Sequence, residues 1–361
     1  MCCIDLFILF DAPEIGEAMQ KRNVGYDVIR ILSIFLVVII HSNVAYLGAN
    51  EGSVEWYFVM LATSVCLVAV PLFFMVSGAL LLDTDEIIPL NKLFSKRILK
   101  QAIPFIVWSL IYVAARIVMR KIPFGIAAFT DLLHEPAYYQ FWFMYSLLAI
   151  YLLLPVLQAI VIKLDKKHLE YALLIWLLFS TVFPVLQRYI PGFEISGHVD
   201  LILCEGYVGY FLLGYYLKKY HSQLSPKWGA VLAASGIAVT GILSVVEYLL
   251  SAEGGYSGYF YQSYLTPFVV IAATGLFILF GGIKSPKNEK LGAVIKVLSA
   301  SSIGVYYIHM LVLTAIEYLG FVGDSSIMIL AVKIVATYCV SLVAAFIISK
   351  IPYVKKILLG L

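Results

Sequence analysis

The sequence predicts an all-α, polytopic membrane protein with about ten transmembrane helices and both termini in the cytoplasm. Three observations predict it. Of 361 residues, 62% are hydrophobic and only 13% charged, more apolar surface than a soluble chain of this size can hide. The apolar residues gather into runs of bilayer-spanning length between polar breaks. The cations concentrate in alternate breaks, as the positive-inside rule requires of correctly counted spans.

The first span, 24–47, follows Lys21 and Arg22. The second and third, 57–82 and 101–119, flank an inner segment with Lys92, Lys96, Arg97 and Lys100. An outer loop, 120–139, leads to the fourth, 140–162; its Phe124, Ile126, Phe129, Leu132 and Leu133 suit a helix lying along the membrane surface. Lys163, Lys166 and Lys167 precede the fifth, 169–187, and Lys218, Lys219 and Lys227 follow the sixth, 201–217. The seventh and eighth, 228–250 and 263–283, are closed by Lys284, Lys287, Lys290 and Lys296. The ninth, 297–319, is parted from the tenth, 326–349, by 320–325 alone, and Lys350, Lys355 and Lys356 follow. Nineteen of the 25 Lys and Arg residues thus lie inside and four, Arg116, Arg120, Lys121 and Arg188, outside. The net charge of +3 is a topology signal, not a nucleic-acid signal. Residues 22–356 read as one transmembrane domain in a plasma or inner membrane. Residues 1–18 lack the basic start and small-residue cleavage site of a signal peptide, so 1–21 is expected to be a disordered tail, or a stretch upstream of a true start at Met19.

The first span carries the most informative residues. Arg30 and His41 lie eleven positions apart, with Ser33 the only other polar side chain between them. At about 100° per residue this is roughly three full circles, so both leave the helix on one face, about 16 Å apart along the axis. Asp27 lies on the same side, near enough to pair with Arg30. Ionisable groups are costly inside a bilayer and mark functional sites, and a neutral imidazole is the form that takes a proton from an alcohol. The same three residues also suit a purely structural polar network.

Other features group by side. Lys92, Lys96 and Lys100, four apart with Arg97 adjacent, suit anionic headgroups or the phosphates of a nucleotide-bearing donor. Ser77-Gly78-Ala79 gives a small surface for helix packing, with the Ser77 hydroxyl a further donor-side candidate. On the outer side stand Asp200, Glu205, Glu247 and Glu317, with the aromatics Trp142, Tyr256, Tyr259, Tyr261 and Tyr264. His309 is mid-span, and Lys333 is expected to pair with one of the outer acids. An inner cationic patch, a conduit with Arg30 and His41, and an aromatic outer side suit a cytoplasmic donor and an outer acceptor such as a carbohydrate.

The run Tyr26-Asp27-Val28-Ile29-Arg30 through Ile40-His41-Ser42 is similar to the R-x10-H signature of the acyltransferase-3 family of integral-membrane acyltransferases. In the same order as in that family follow Phe73-Phe74-Met75-Val76-Ser77-Gly78, the basic segment ending Ile103-Pro104-Phe105 with Trp108, Phe141-Trp142-Phe143-Met144-Tyr145 with Tyr151 and Pro155, Tyr210-Phe211-Leu212-Leu213-Gly214-Tyr215, and Ser302 to His309. The resemblance covers about 22–350. It implies transfer of an acyl group, most often acetyl, from acyl-CoA to a hydroxyl of an extracytoplasmic or lipid-linked sugar, with no tightly bound cofactor. By position, His41 and Arg30, with Asp27, match the catalytic group, and Lys96, Arg97 and Lys100 the donor site, together with Ser77. Glu205, His309 and Trp142 are expected on the acceptor side. His41 would act as general base or carry the acyl group transiently. A transporter or flippase of a lipid-linked saccharide is the alternative for the same buried charges.

Overall fold

In the computed structural model, the described residues are 22–119, 121–123, 125–190, 192–193, 206–250, 260–320 and 326–361. Among them every regular element is helical. Helix α1 is Val24–Ala49, and a second span, Val54–Leu81, is broken into α2 (Val54–Cys66) and α3 (Ala69–Leu81). The break falls where Pro71 must clear the carbonyl of residue i−4, Leu67. Next come α4 (Leu90–Val118), α5 (Trp142–Lys163) and α6 (Lys166–Tyr189). They are followed by α7 (Val208–His221), α8 (Pro226–Leu250) and α9 (Pro267–Gly281). Finally come α10 (Glu289–Tyr318), α11 (Ile327–Lys350) and the short α12 (Pro352–Leu359).

Local chemistry starts these helices. The side chains of Asn23, Ser53, Asp165, Thr266 and Asn288 each accept a hydrogen bond from a first-turn amide, satisfying donors that have no intrahelical partner. Pro267 adds a pre-set first helical residue to α9.

The protein is a multi-pass membrane protein, with eight spans long and apolar enough to cross a bilayer among the described residues. The sixth and eighth predicted positions hold shorter helices. There α7 has 14 residues and α9 has 15, which reach about 21 and 22 Å at 1.5 Å per residue. Of the predicted sixth span, residues 201–205 lie outside the described residues, Gly206 and Tyr207 form a turn, and α7 begins at Val208. The tail 1–21 likewise lies outside them. In the outer loop the expected surface helix is reduced to one turn, Ala127–Thr130, and a 3-10 turn, Asp131–Leu133.

Packing is closest where glycines let backbones meet. Any Cβ at Gly78 would strike the Phe211 carbonyl, and one at Gly214 the Met75 carbonyl, so α3 and α7 cross backbone to backbone at two points. Helix α12 turns back against α4. There the Trp108 indole donates to the Leu358 carbonyl at 2.8 Å. Gly360, at φ +69°, sits on the Lys100 carbonyl, which Pro104 deprives of its usual helical donor. Lys333 pairs with Glu317 at 3.4 Å and is only 6% exposed, while Glu247 is paired with Arg188.

Candidate functional site

The predicted face of α1 packs against α10, and this contact builds the site. His309 projects from α10 and is fully buried. Its Nδ1 lies 3.0 Å from the Val305 carbonyl and 2.7 Å from that of Tyr306. Carbonyls only accept, so Nδ1 carries the proton, and in the neutral ring Nε2 is the acceptor. That Nε2 stands 2.7 Å from His41 Nδ1, which must then be the donor. Ring centroids 5.0 Å apart and planes within 10° give an in-plane N–H···N bond. The chain of bonds leaves the lone pair of a neutral His41 on Nε2. His309, expected on the acceptor side, is thus the direct partner of His41.

His41 forms part of the wall of a pocket with Val37, Ile40, Val70, Phe73 and Trp142, closed by Phe143, Tyr264, Tyr306 and Gln140. The space is about 360 Å³ with its open mouth. Its surface is mostly apolar and aromatic. Trp142 stacks on Tyr264 with centroids 5.6 Å apart, and Tyr139 meets the His41 ring edge-on at 5.2 Å. The 3-10 turn Tyr139–Phe141 sets Gln140 into this wall, its carbonyl held by the Tyr306 hydroxyl at 2.8 Å. Gln140 is 1% exposed, yet among the described residues neither atom of its carboxamide has a hydrogen bond of normal geometry, the Tyr112 hydroxyl being its one polar neighbour. An orphaned buried polar group of this kind costs about 1–3 kcal/mol.

A second cluster lies at the N-terminal end of α1. Asp27 receives Ser299 Oγ at 2.7 Å, Arg22 Nε at 2.6 Å and Arg30 at 3.4 Å, so this carboxylate ties the start of α1 to α10. A π-helical turn, Phe94–Ile98, interrupts α4. It separates the basic residues: Arg97 is buried at 6% exposure, Lys96 is exposed and Lys100 is half-buried. On α5, which runs antiparallel to α1, Trp142 stands by His41 and Tyr151, nine residues on, stands in the field of both Arg97 and Arg30. The Tyr151 hydroxyl is buried without a hydrogen-bond partner among the described residues. Two guanidiniums, one from each predicted group, thus lie within electrostatic range of one phenol.

Ser77 is not part of either cluster; its hydroxyl donates to the Phe73 carbonyl of its own helix at 2.7 Å. Glu205 lies outside the described residues, as do Asp200, Tyr256 and Tyr259. Sequence reasoning overlooked Gln140 and named Tyr151 only as a family marker. The one available signal for Gln140 was a neutral amide opening the aromatic run Phe141-Trp142-Phe143.

A buried imidazole pair with one ring in the wall of an aromatic pocket is equipped to take up and hold a proton. The acyltransferase-3 family model, described as an acyltransferase domain, matches residues 23–350. The chain belongs to that family and is a membrane acyltransferase. Searches of curated proteins and of solved structures give no match.

Proposed function

We propose that this protein transfers an acyl group, acetyl in the first instance, from cytoplasmic acyl-CoA to a hydroxyl of an extracytoplasmic or lipid-linked carbohydrate. In this reading the chain crosses a cell membrane ten times, with α7 and α9 as the two short crossings and both termini in the cytoplasm. The observation that carries it is the His41–His309 bond, which presents an unprotonated Nε2 beside an aromatic pocket.

Arg97 and Arg30 hold the anionic part of the donor, with the Tyr151 hydroxyl in the field of both. Its extended arm covers the roughly 16 Å along α1 to His41 and brings the thioester to the pocket. The acceptor hydroxyl loses its proton to His41 Nε2 as its oxygen attacks the thioester carbon. The tetrahedral intermediate then expels the thiolate of CoA, which takes up that proton. His309 holds the reactive tautomer throughout, as an orienting partner does for other catalytic histidines. Aromatic walls such as Trp142 and Tyr264 suit the apolar faces of a sugar ring.

The test is mass spectrometry of envelope glycans from cells with and without the gene, joined to labelling by purified protein in vesicles supplied with radiolabelled acetyl-CoA. An acyl-sized mass difference that disappears with His41→Ala, in a variant that still inserts and melts normally, is expected. Normal turnover by that variant overturns the assignment of His41. Movement of substrate without covalent change would favour a transporter.

A further inference from the structure

Resting on the acyl-transfer reading, we propose that the Gln140 carboxamide is a catalytic group, donating a hydrogen bond to the carbonyl oxygen of the thioester as that oxygen becomes an oxyanion. His41 accounts for the proton of the acceptor hydroxyl but leaves this developing negative charge unanswered. Acyl transfer needs a donor aimed at that charge, and such a donor is most effective when fixed in advance in a dry site.

Gln140 meets these conditions. It shares with His41 the wall of one pocket. Its backbone is held by the 3-10 turn and by the Tyr306 hydroxyl on its carbonyl, and the preceding residue, Tyr139, packs on the His41 ring. The Tyr112 hydroxyl adjoins the carboxamide, but its proton is spent on the Tyr307 carbonyl at 2.8 Å. It can therefore only accept, which orients the nitrogen toward it and still leaves a second N–H for the pocket. Buried amides are normally satisfied. This one is 1% exposed, and beyond the adjoining Tyr112 hydroxyl no group among the described residues partners its carboxamide, as expected of a group whose remaining partner is a substrate.

In the step itself, the acceptor oxygen bonds to the thioester carbon and the carbonyl π pair moves onto the carbonyl oxygen, where the Gln140 N–H meets it. The pair returns as the C–S bond breaks and the thiolate departs. The N–H is kept by Gln140 from start to finish.

The experiment compares wild type, Gln140→Met and Gln140→Glu in vesicles containing lipid extract of the source cells, with radiolabelled acetyl-CoA as donor. Thermal unfolding is followed on the same preparations. Removal of one such donor lowers kcat by about 10²–10³-fold, with the KM for acetyl-CoA little changed. Met leaves no orphaned polar atom, so its unfolding temperature is expected to stay level or rise. A Met variant that keeps kcat within about threefold of wild type, or loses activity only through a raised KM or a lowered unfolding temperature, overturns the proposal. The two readings fail separately: a wild-type protein that moves no label removes both, whereas an active wild type with an active Gln140→Met removes this one alone.

Discussion

Replacing His309 tests how His41 is made reactive. Among the described residues His41 Nδ1 has one hydrogen-bond partner, His309 Nε2 at 2.7 Å, and that nitrogen is an acceptor because the Val305 and Tyr306 carbonyls hold the single N–H of the His309 ring on Nδ1. His309→Ala deletes the acceptor. A neutral hydrogen bond contributes about 0.5–1.5 kcal/mol net, which converts to roughly a 2- to 13-fold loss of the tautomer with its lone pair on Nε2. The ring also loses its orientation, and loss of an orienting partner costs about 10–100-fold in comparable sites. The expected fall in kcat is therefore about 10²-fold, accompanied by about 1–3 kcal/mol of lost stability for a stranded N–H. His309→Gln supplies a carbonyl oxygen at the end of a side chain of similar reach and is expected to recover to within about tenfold of wild type. The assay is single-turnover transfer from radiolabelled acetyl-CoA, with unfolding measured in parallel. Wild-type turnover by a folded His309→Ala refutes the reasoning. So does a folded His309→Gln as inactive as His41→Ala, because His309 would then be the proton carrier itself.

Three further outcomes follow from the geometry. Arg97→Ala is expected to raise the KM for acetyl-CoA about tenfold or more with less effect on acceptor affinity, and Arg97→Lys to recover only part, since a point charge replaces a planar fork; initial rates against each substrate measure this. Phe73→Ala enlarges the pocket beside His41 and is expected to shift donor preference from acetyl toward longer acyl-CoAs, read from a competition between chain lengths. Gly214→Ala drives a Cβ into the Met75 carbonyl and is expected to cost about 1–3 kcal/mol or more, seen as earlier unfolding in detergent.

What the sequence disclosed and what it hid have physical causes. The shared face of Asp27, Arg30 and His41 was legible because helical period alone decides it. The charge alternation marked the breaks between the eight long spans, yet at α9 the predicted 263–283 overran the helical residues because its flanks are apolar enough to extend the hydropathy signal. The pairing of His41 with His309 joins residues 268 positions apart, a tertiary event that no local pattern carries. Arg97 was grouped with Lys96 and Lys100 on the assumption of an unbroken 3.6-residue period. The π turn Phe94–Ile98 inserts extra backbone there and sends the guanidinium inward while Lys96 stays outside. Gln140 carried no charge to betray it among its aromatic neighbours.

The crossing of α3 and α7 has a consequence for traffic through the enzyme. With carbonyls seated on Gly78 and Gly214, no side chain lies between the two helices to act as a bearing, so neither can slide or roll without clashing. Val70 and Phe73 ride on α3, which makes that half of the pocket a fixed anvil. The Tyr210 hydroxyl of α7 holds the Tyr264 carbonyl at 2.6 Å, so the motion that admits one substrate and releases the other falls to the side of Trp142 on α5, which stands outside that lock.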